Sequence, residues 1–260
     1  MPTSPHEHRR AAESFGVDVA RYDRTRPSYP DELIARIVAS SPGPAVLDVG
    51  CGTGIAARQF TGGSVLGVEP DPRMAAFARS TGITVEVARF EEWDPAGRRF
   101  DALVCGQAWH WVDPEAGAVK AAEVLRPGGV LALFWHVFRA PDAVTAAFAD
   151  AYERVAPDSP VSVRGSAPDP HDLYRPVLDR AATALRATGA FAEFDEWRFE
   201  VTRTYTTAQW LDLLPTQGTM TRLPADAIAE ISTAVGTAID ALGGSFTLPF
   251  HTVASSARRT

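Results

Sequence analysis

Three glycines at alternate positions, directly after a short apolar run, constrain this chain more than any other feature. The segment is VLDVGCGTG, Val46–Gly54. Glycine enters positive φ without steric cost, so Gly50, Gly52 and Gly54 let a strand end abruptly, and they let its backbone approach a ligand closely. The dinucleotide fingerprint G-x-G-x-x-G would need glycine at position 55, where Ile55 stands instead. Phosphate cradling also lacks support, because the first basic residue after the turn is Arg58.

The rest of the first half repeats one pattern. Apolar runs at Ala45–Val49, Val65–Val68, Ile83–Val87, Ala102–Cys105 and Val130–Trp135 alternate with helical periodicity over Asp31–Ala39, Ile55–Phe60, Pro72–Ser80 and Glu115–Leu125. Short continuous apolar strands separated by helices predict a parallel sheet covered on both faces. Ligands of such sheets bind beyond the carboxyl ends of the strands. The second half predicts helices over 141–156 and 172–188 around a Pro- and Asp-rich loop, Pro157–Pro170. It adds an alternating edge or antiparallel strand, Glu196–Thr204, with Trp197, Phe199 and Val201 on one face. Helices Thr207–Leu214 and Asp226–Leu242 and a last strand, Phe246–Val253, complete the reading. We expect one domain over residues 1–260, its cofactor-binding core at about 31–136 and helical insertions at about 141–190 and 207–243.

Composition narrows the chemistry. Lys120 is the only lysine and it follows Val119, so there is no P-loop lysine, and a Schiff-base mechanism would have that one candidate. Asparagine is absent, which removes N-glycosylation and weighs against a carboxylate- and amide-rich metal mechanism. Cys51 and Cys105 give neither a disulfide framework nor zinc spacing. A net charge of −7 with no basic run argues against a nucleic-acid or anionic-membrane surface. With no apolar leader and no run long enough to span a bilayer, the chain is expected to be soluble and cytoplasmic, as a monomer or homodimer.

Glu69 ends the second apolar run. A carboxylate at that strand tip can accept both hydroxyls of a ribose. Taken in order, VLDVGCGTG, GVEPDPRM, VARFEEWD, FDALVCGQAWHW and EVLRPGGVLALFW resemble a class I S-adenosylmethionine-dependent methyltransferase over about Phe15–Trp135. The Y-x-x-x-R-P-x-Y-P motif (Tyr22–Pro30) and the His-Trp pair after the fourth strand are similar to the small-molecule group around trans-aconitate methyltransferase. The resemblance implies a Rossmann-like, seven-stranded α/β sheet with helices on both faces and a helical lid inserted after strand five.

The resemblance also implies roles. Gly50, Cys51 and Gly52 would lie against the methionine and ribose of the cofactor, and Asp48 would order the turn and reach the ammonium. Glu69 matches the ribose-binding acid, followed by Pro70, with Asp71 expected to cap the next helix and Met74 to lie under the adenine. At the third strand tip the family's acidic residue is replaced by Arg89, which cannot accept a hydrogen bond. Adenine would then rely on Phe90 and Glu91. Gly106 and Gln107 would lie beside the ammonium, while Tyr22 and Arg26 would bind the cofactor's carboxylate, Arg26 by bidentate pairing. Trp109, His110, Trp135 and Gln217 would face the acceptor, with His110 as base or orienting group.

The implied reaction is methyl transfer to a small organic acceptor, more readily at oxygen, whether carboxylate or hydroxyl. Alternatives are a cofactor-binding scaffold without transfer (a regulator or cyclase) and N- or C-methylation of a natural-product intermediate. No metal is implied.

Overall fold

The computed structural model describes residues 14–159, 163 and 174–260. Parts of the expected insertion at 141–190 therefore lie outside the described residues. Seven strands are present: β1 Ala45–Val49, β2 Ser64–Val68, β3 Thr84–Glu86, β4 Phe100–Gly106, β5 Leu125–Phe138, β6 Asp195–Thr206 and β7 Ser245–Arg258. The helices are α1 Val19–Thr25, α2 Asp31–Ser40, α3 Pro72–Ser80, α4 Pro114–Val124, α5 Asp142–Val155, α6 Arg175–Ala187, α7 Thr207–Leu213 and α8 Ala225–Ala241.

The strands form one sheet in the order β3-β2-β1-β4-β5-β7-β6. β1 runs parallel to β2 and β4, β2 to β3, and β4 to β5. At the start of β5, Gly128 donates to Arg259 O at 2.7 Å and Gly129 O accepts from Arg259 N at 2.8 Å, so β7 runs antiparallel to β5. The pairing of Thr204 with Thr247 (2.8 Å) and of Glu200 with His251 (3.5 Å) keeps an antiparallel register for β6 as well. β1 to β5 make the parallel sheet that the alternation implied, β7 adds an antiparallel strand, and β6, expected as an edge or antiparallel strand, lies at the edge. Along β6 the residues alternate, with Trp197 buried and Phe199 and Val201 half-buried on the inner face.

Local chemistry sets the helix boundaries. α3 has Asp71 as N-cap, accepting from Arg73 N at 2.9 Å, with Pro72 in its first turn. In α2 the acids Asp31 and Glu32 occupy the first turn, and Leu33, Ile34 and Ile37 form the buried stripe. One expected helix is only a fragment. Over Ile55–Phe60 the chain makes a single turn, Arg58 N to Gly54 O at 2.9 Å, followed by a short 3₁₀ segment, Ala57–Gln59. Thr61, Gly62 and Gly63 end it at once, leaving too few residues for a helix to propagate.

The chain divides into two compact units, residues 27–136, 173–199 and 252–260 in one and residues 1–26, 137–172 and 200–251 in the other. The larger has a core between the sheet and α2, built from Leu33, Ile37, Val46, Val104, Ala132 and Phe134. Each fully buried aliphatic side chain there contributes roughly 1.5–3 kcal/mol. The smaller has its own core, in which Trp210, Leu213, Ile231, Val235, Phe246 and Phe250 pack together. Among the described residues no helix is long and apolar enough to cross a membrane.

Candidate active site

In the larger unit the carboxyl ends of β1 and β2 meet at the glycine turn. Gly50 N and Cys51 N both donate to Val68 O, at 2.8 and 3.3 Å, which folds the turn onto the end of β2. Gly50, Gly52 and Gly54 have φ of +64°, +57° and +85°. At Gly50 a Cβ would also fall 2.5 Å from that of Ala108, whereas at Gly52 nothing lies within 4 Å of one. The turn is therefore closed below and open at Gly52, where backbone can meet a ligand.

Glu69 is buried at the tip of β2. Its Oε2 accepts from Gly52 N and its Oε1 from Asp71 N, both at 2.9 Å. Each carboxylate oxygen keeps one further lone-pair direction, the arrangement that can receive two hydroxyl donors. Burial pushes its carboxyl up to about 7, against the two backbone donors that pull it down. Asp48, in β1, is 1% exposed, and its Oδ2 has no hydrogen-bond partner among the described residues. Burial, and then the nearby Glu69, push it up to about 8. A buried carboxyl oxygen left unpartnered is costly, and an ammonium donor would satisfy it.

At the tip of β3, Arg89 is held by the acids that follow it. It reaches Glu91 at 2.8 Å and Glu92 at 3.1 Å, and Glu91 also accepts from Asp113 N at 3.1 Å. Both of these donors meet the same Glu91 oxygen, Oε1. Phe90 is 3% exposed, in an aromatic group with Trp93 and Trp109 at centroid distances of 6.5 and 6.0 Å. Met74 is buried in α3, and Pro70 is exposed ahead of it.

The tip of β4 is strained and tightly packed. Gln107 has φ +60°, uncommon for a residue with a side chain, and its N–H donates to Phe134 O at 2.8 Å. A Cβ at Gly106 would fall 2.5 Å from Tyr29 Oη and 2.7 Å from Phe134, so only glycine admits this tyrosine hydroxyl. Trp109–Trp111 then form a 3₁₀ turn. Trp135 is fully buried in β5, and its Nε1 donates to His110 Nδ1 at 3.3 Å. Burial pushes His110 down to about 4.

Sequence reasoning missed two neighbours of this region. The Tyr29 ring stacks on His136 (4.4 Å, 17°), and His136 Nδ1 bonds Thr252 Oγ1 at 3.0 Å. Tyr29 stands inside the quoted R-P-x-Y-P motif, and His136 follows Trp135 onto the opposite face of the strand. Both signals were present, but only packing shows what they touch.

The remaining expected site residues lie in the smaller unit. Arg26 stands over the Tyr22 ring at 4.9 Å, its Nη2 donates to Thr216 O, and its buried Nε has no hydrogen-bond partner among the described residues. Gln217 follows Thr216 and turns the chain, its N–H bonded to Leu214 O at 3.1 Å. Tyr22, Arg26 and the Thr216–Gln217 turn thus come together, although about 190 residues of sequence separate them. Arg139 pairs with Asp142 at 2.9 Å.

Residues 47–133 match the family described as a methyltransferase domain. That stretch contains the glycine turn, Glu69, Phe90 and the β4 tip. Over that stretch the chain is similar to a methyltransferase domain. An uncharacterized methyltransferase of Mycobacterium tuberculosis is 40% identical over 128 residues, 47% of this chain and 52% of the relative. A ubiquinone biosynthesis O-methyltransferase of Bradyrhizobium is 34% identical over 98 residues, 34% of this chain and 38% of the relative. The chain spans about half the length, or less, of these curated relatives. The solved structure of a proposed type II methyltransferase from Anaeromyxobacter dehalogenans shares the fold, with TM-score 0.62 and 24% identity over 90% of this chain and 97% of that one.

The methyltransferase cofactor fits the residues present. The Glu69 carboxylate suits a ribose diol, the unpartnered Asp48 Oδ2 suits an ammonium, and Gly52 leaves backbone open to it. The departure at β3 is absorbed locally, since Arg89 is consumed by Glu91 and Glu92.

Proposed function

We propose that the chain transfers a methyl group from S-adenosylmethionine to a small organic acceptor, at oxygen. The observation that carries this reading is the buried Glu69 carboxylate bonded to the open glycine turn at Gly52, next to an unpartnered Asp48 oxygen. When bound, S-adenosylmethionine supplies an activated methyl group on a sulfonium. The protein's task is therefore to align the acceptor and exclude water rather than to activate a leaving group.

Each residue then has an assigned part. Gly50, Cys51, Gly52 and Glu69 hold the ribose and methionine, while Asp48, Gly106 and Gln107 take the ammonium. Met74 and Phe90 wall the adenine. Glu91, held through Oε1 by Arg89 and the Asp113 amide, is assigned to the adenine through Oε2. Trp109, His110 and Trp135 line the acceptor end. The name of the Bradyrhizobium relative, an O-methyltransferase, supports oxygen as the receiving atom.

Titration calorimetry with S-adenosylmethionine and its demethylated product, followed by a panel of small acids, phenols and amines, tests the reading. Binding of both cofactor forms with methylation confined to oxygen is the expected result. No binding, or transfer only to nitrogen or carbon, would overturn it.

A further inference from the structure

Trp135 and His110 make an arrangement whose chemistry is settled by donor and acceptor inventory. An indole N–H can only donate. Since Trp135 Nε1 points at His110 Nδ1 at 3.3 Å, that nitrogen must offer its lone pair. A neutral imidazole carries one ring proton, so here it resides on Nε2. Protonating Nδ1 would set two donors face to face. That adds to the burial that already keeps the ring uncharged at physiological pH.

Neither ring is free to turn away. Trp135 is fully buried in β5 and stacks on Tyr174 at 5.8 Å and 28°. His110 lies against Trp111 at 4.6 Å. It sits in a 3₁₀ turn closed by Trp111 N to Ala108 O at 2.9 Å, and Gln107 N anchors the approach to that turn on Phe134 O at 2.8 Å. His110 Nε2 has no protein partner among the described residues, so its N–H remains available.

We propose that Trp135 is a positioning residue that fixes His110 as a neutral Nε2–H donor, so that His110 orients the acceptor by hydrogen bonding and does not remove a proton from it. The inference rests on the methyl-transfer reading above and sharpens its acceptor class. The acceptor presents a lone pair to Nε2–H and has no proton to surrender to His110, and an ionised oxygen group is the simplest member of that class. One lone pair of the acceptor oxygen forms the new O–CH3 bond. The S–CH3 bond breaks with its electron pair left on sulfur, and the anionic charge of the acceptor cancels the sulfonium charge. No proton is produced, and none is needed.

The test reads the tautomer directly. Full-length protein labelled with ¹⁵N-histidine is observed by long-range ¹H–¹⁵N correlation, with His110→Gln assigning the signal by its disappearance. The expected result is a protonated Nε2 and an unprotonated Nδ1, unchanged from pH 8 to pH 5. Trp135→Phe keeps the ring and removes the N–H. It should raise the His110 titration midpoint by at least half a unit and let both tautomers appear. A wild-type Nδ1–H tautomer, or a midpoint unmoved in Trp135→Phe, overturns the proposal. If Trp135→Phe does not fold, the wild-type tautomer decides alone. Cofactor binding measured on the same sample separates the two readings. Loss of binding with an Nε2–H tautomer sinks the methyltransferase assignment only, while normal binding with an Nδ1–H tautomer sinks the His110 assignment only.

Discussion

The tip of β2 and the tips of β4 and β5 sit on the same sheet and solve opposite problems. At β2 the working atoms are acceptors: the Glu69 carboxylate, held by two backbone N–H groups, and the unpartnered Asp48 oxygen nearby. At β4 and β5 the working atom is a donor, His110 Nε2–H, set among tryptophans. The first region is built from backbone and charge and suits recognition of a fixed polar ligand. The second is built from aromatic packing and suits a ligand that must be oriented. The difference implies that affinity for cofactor and selection of acceptor should separate under mutation.

The strongest attempt to break that separation is Glu69→Ala. It removes the acceptor of two hydroxyl bonds and should weaken S-adenosylmethionine binding roughly 100-fold, about 3 kcal/mol, by calorimetry. Trp135→Phe should leave the same constant within about threefold. Equal losses in both variants would show that the two ends are not independent.

Next in size is Gly50→Ala. Its φ of +64° and the 2.5 Å approach to Ala108 should cost about 2–3 kcal/mol of stability, read by urea unfolding. Gly52→Ala has the strain without the clash, so about 1 kcal/mol is expected in stability, with a larger loss in cofactor binding.

A third measurement uses pH. Asp48 and Glu69 have folded pKa values raised to about 8 and about 7. Between their unfolded values and these, the folded state holds more protons than the unfolded one. Stability of the cofactor-free protein is therefore full at about pH 4 and is lost as pH rises through 7 and 8, with a slope of up to about 1.4 kcal/mol per unit per proton. Asp48→Asn should flatten the thermal unfolding profile between pH 5 and 8. Cofactor affinity should move the other way, strengthening as Glu69 ionises through about pH 7. A wild-type unfolding temperature that rises over this range would contradict the assignment.

The smallest effect belongs to Arg89→Gln. With its guanidinium taken by Glu91 and Glu92, its loss should shift stability by about 1 kcal/mol or less and cofactor binding less than threefold.

How much of this was legible beforehand follows from whether a signal is local. The glycine turn, Glu69 and the strand alternation are properties of short segments, so each strand of the sheet and the Asp71 cap could be read directly from residue order. The Ile55–Phe60 helix was over-read, because apolar periodicity over six residues does not reveal that Thr61–Gly63 stops it within a turn. The bond from Trp135 to His110 and the approach of Tyr29 to Gly106 join residues distant in sequence. Residue types suggested those positions, but only packing fixes which atom of each faces which. Likewise, the clustering of Arg26 with Thr216 depends on how the helices of the smaller unit close on one another.

The two cysteines carry a consequence for kinetics. Both are buried, and Cys51 Sγ lies so near Gly67 that a Cβ there would fall 2.6 Å from it. Burial, with Asp48 and Glu69 close by, holds both thiols well above the ordinary range, so neither is a nucleophile in the closed protein. An alkylating reagent must wait for a local opening. The labelling rate of Cys51 then times the loosening of the glycine turn, and that of Cys105 times the parting of the central strands. The native sequence thus contains two clocks, one within the ligand turn and one in the middle of the sheet, without any engineered probe.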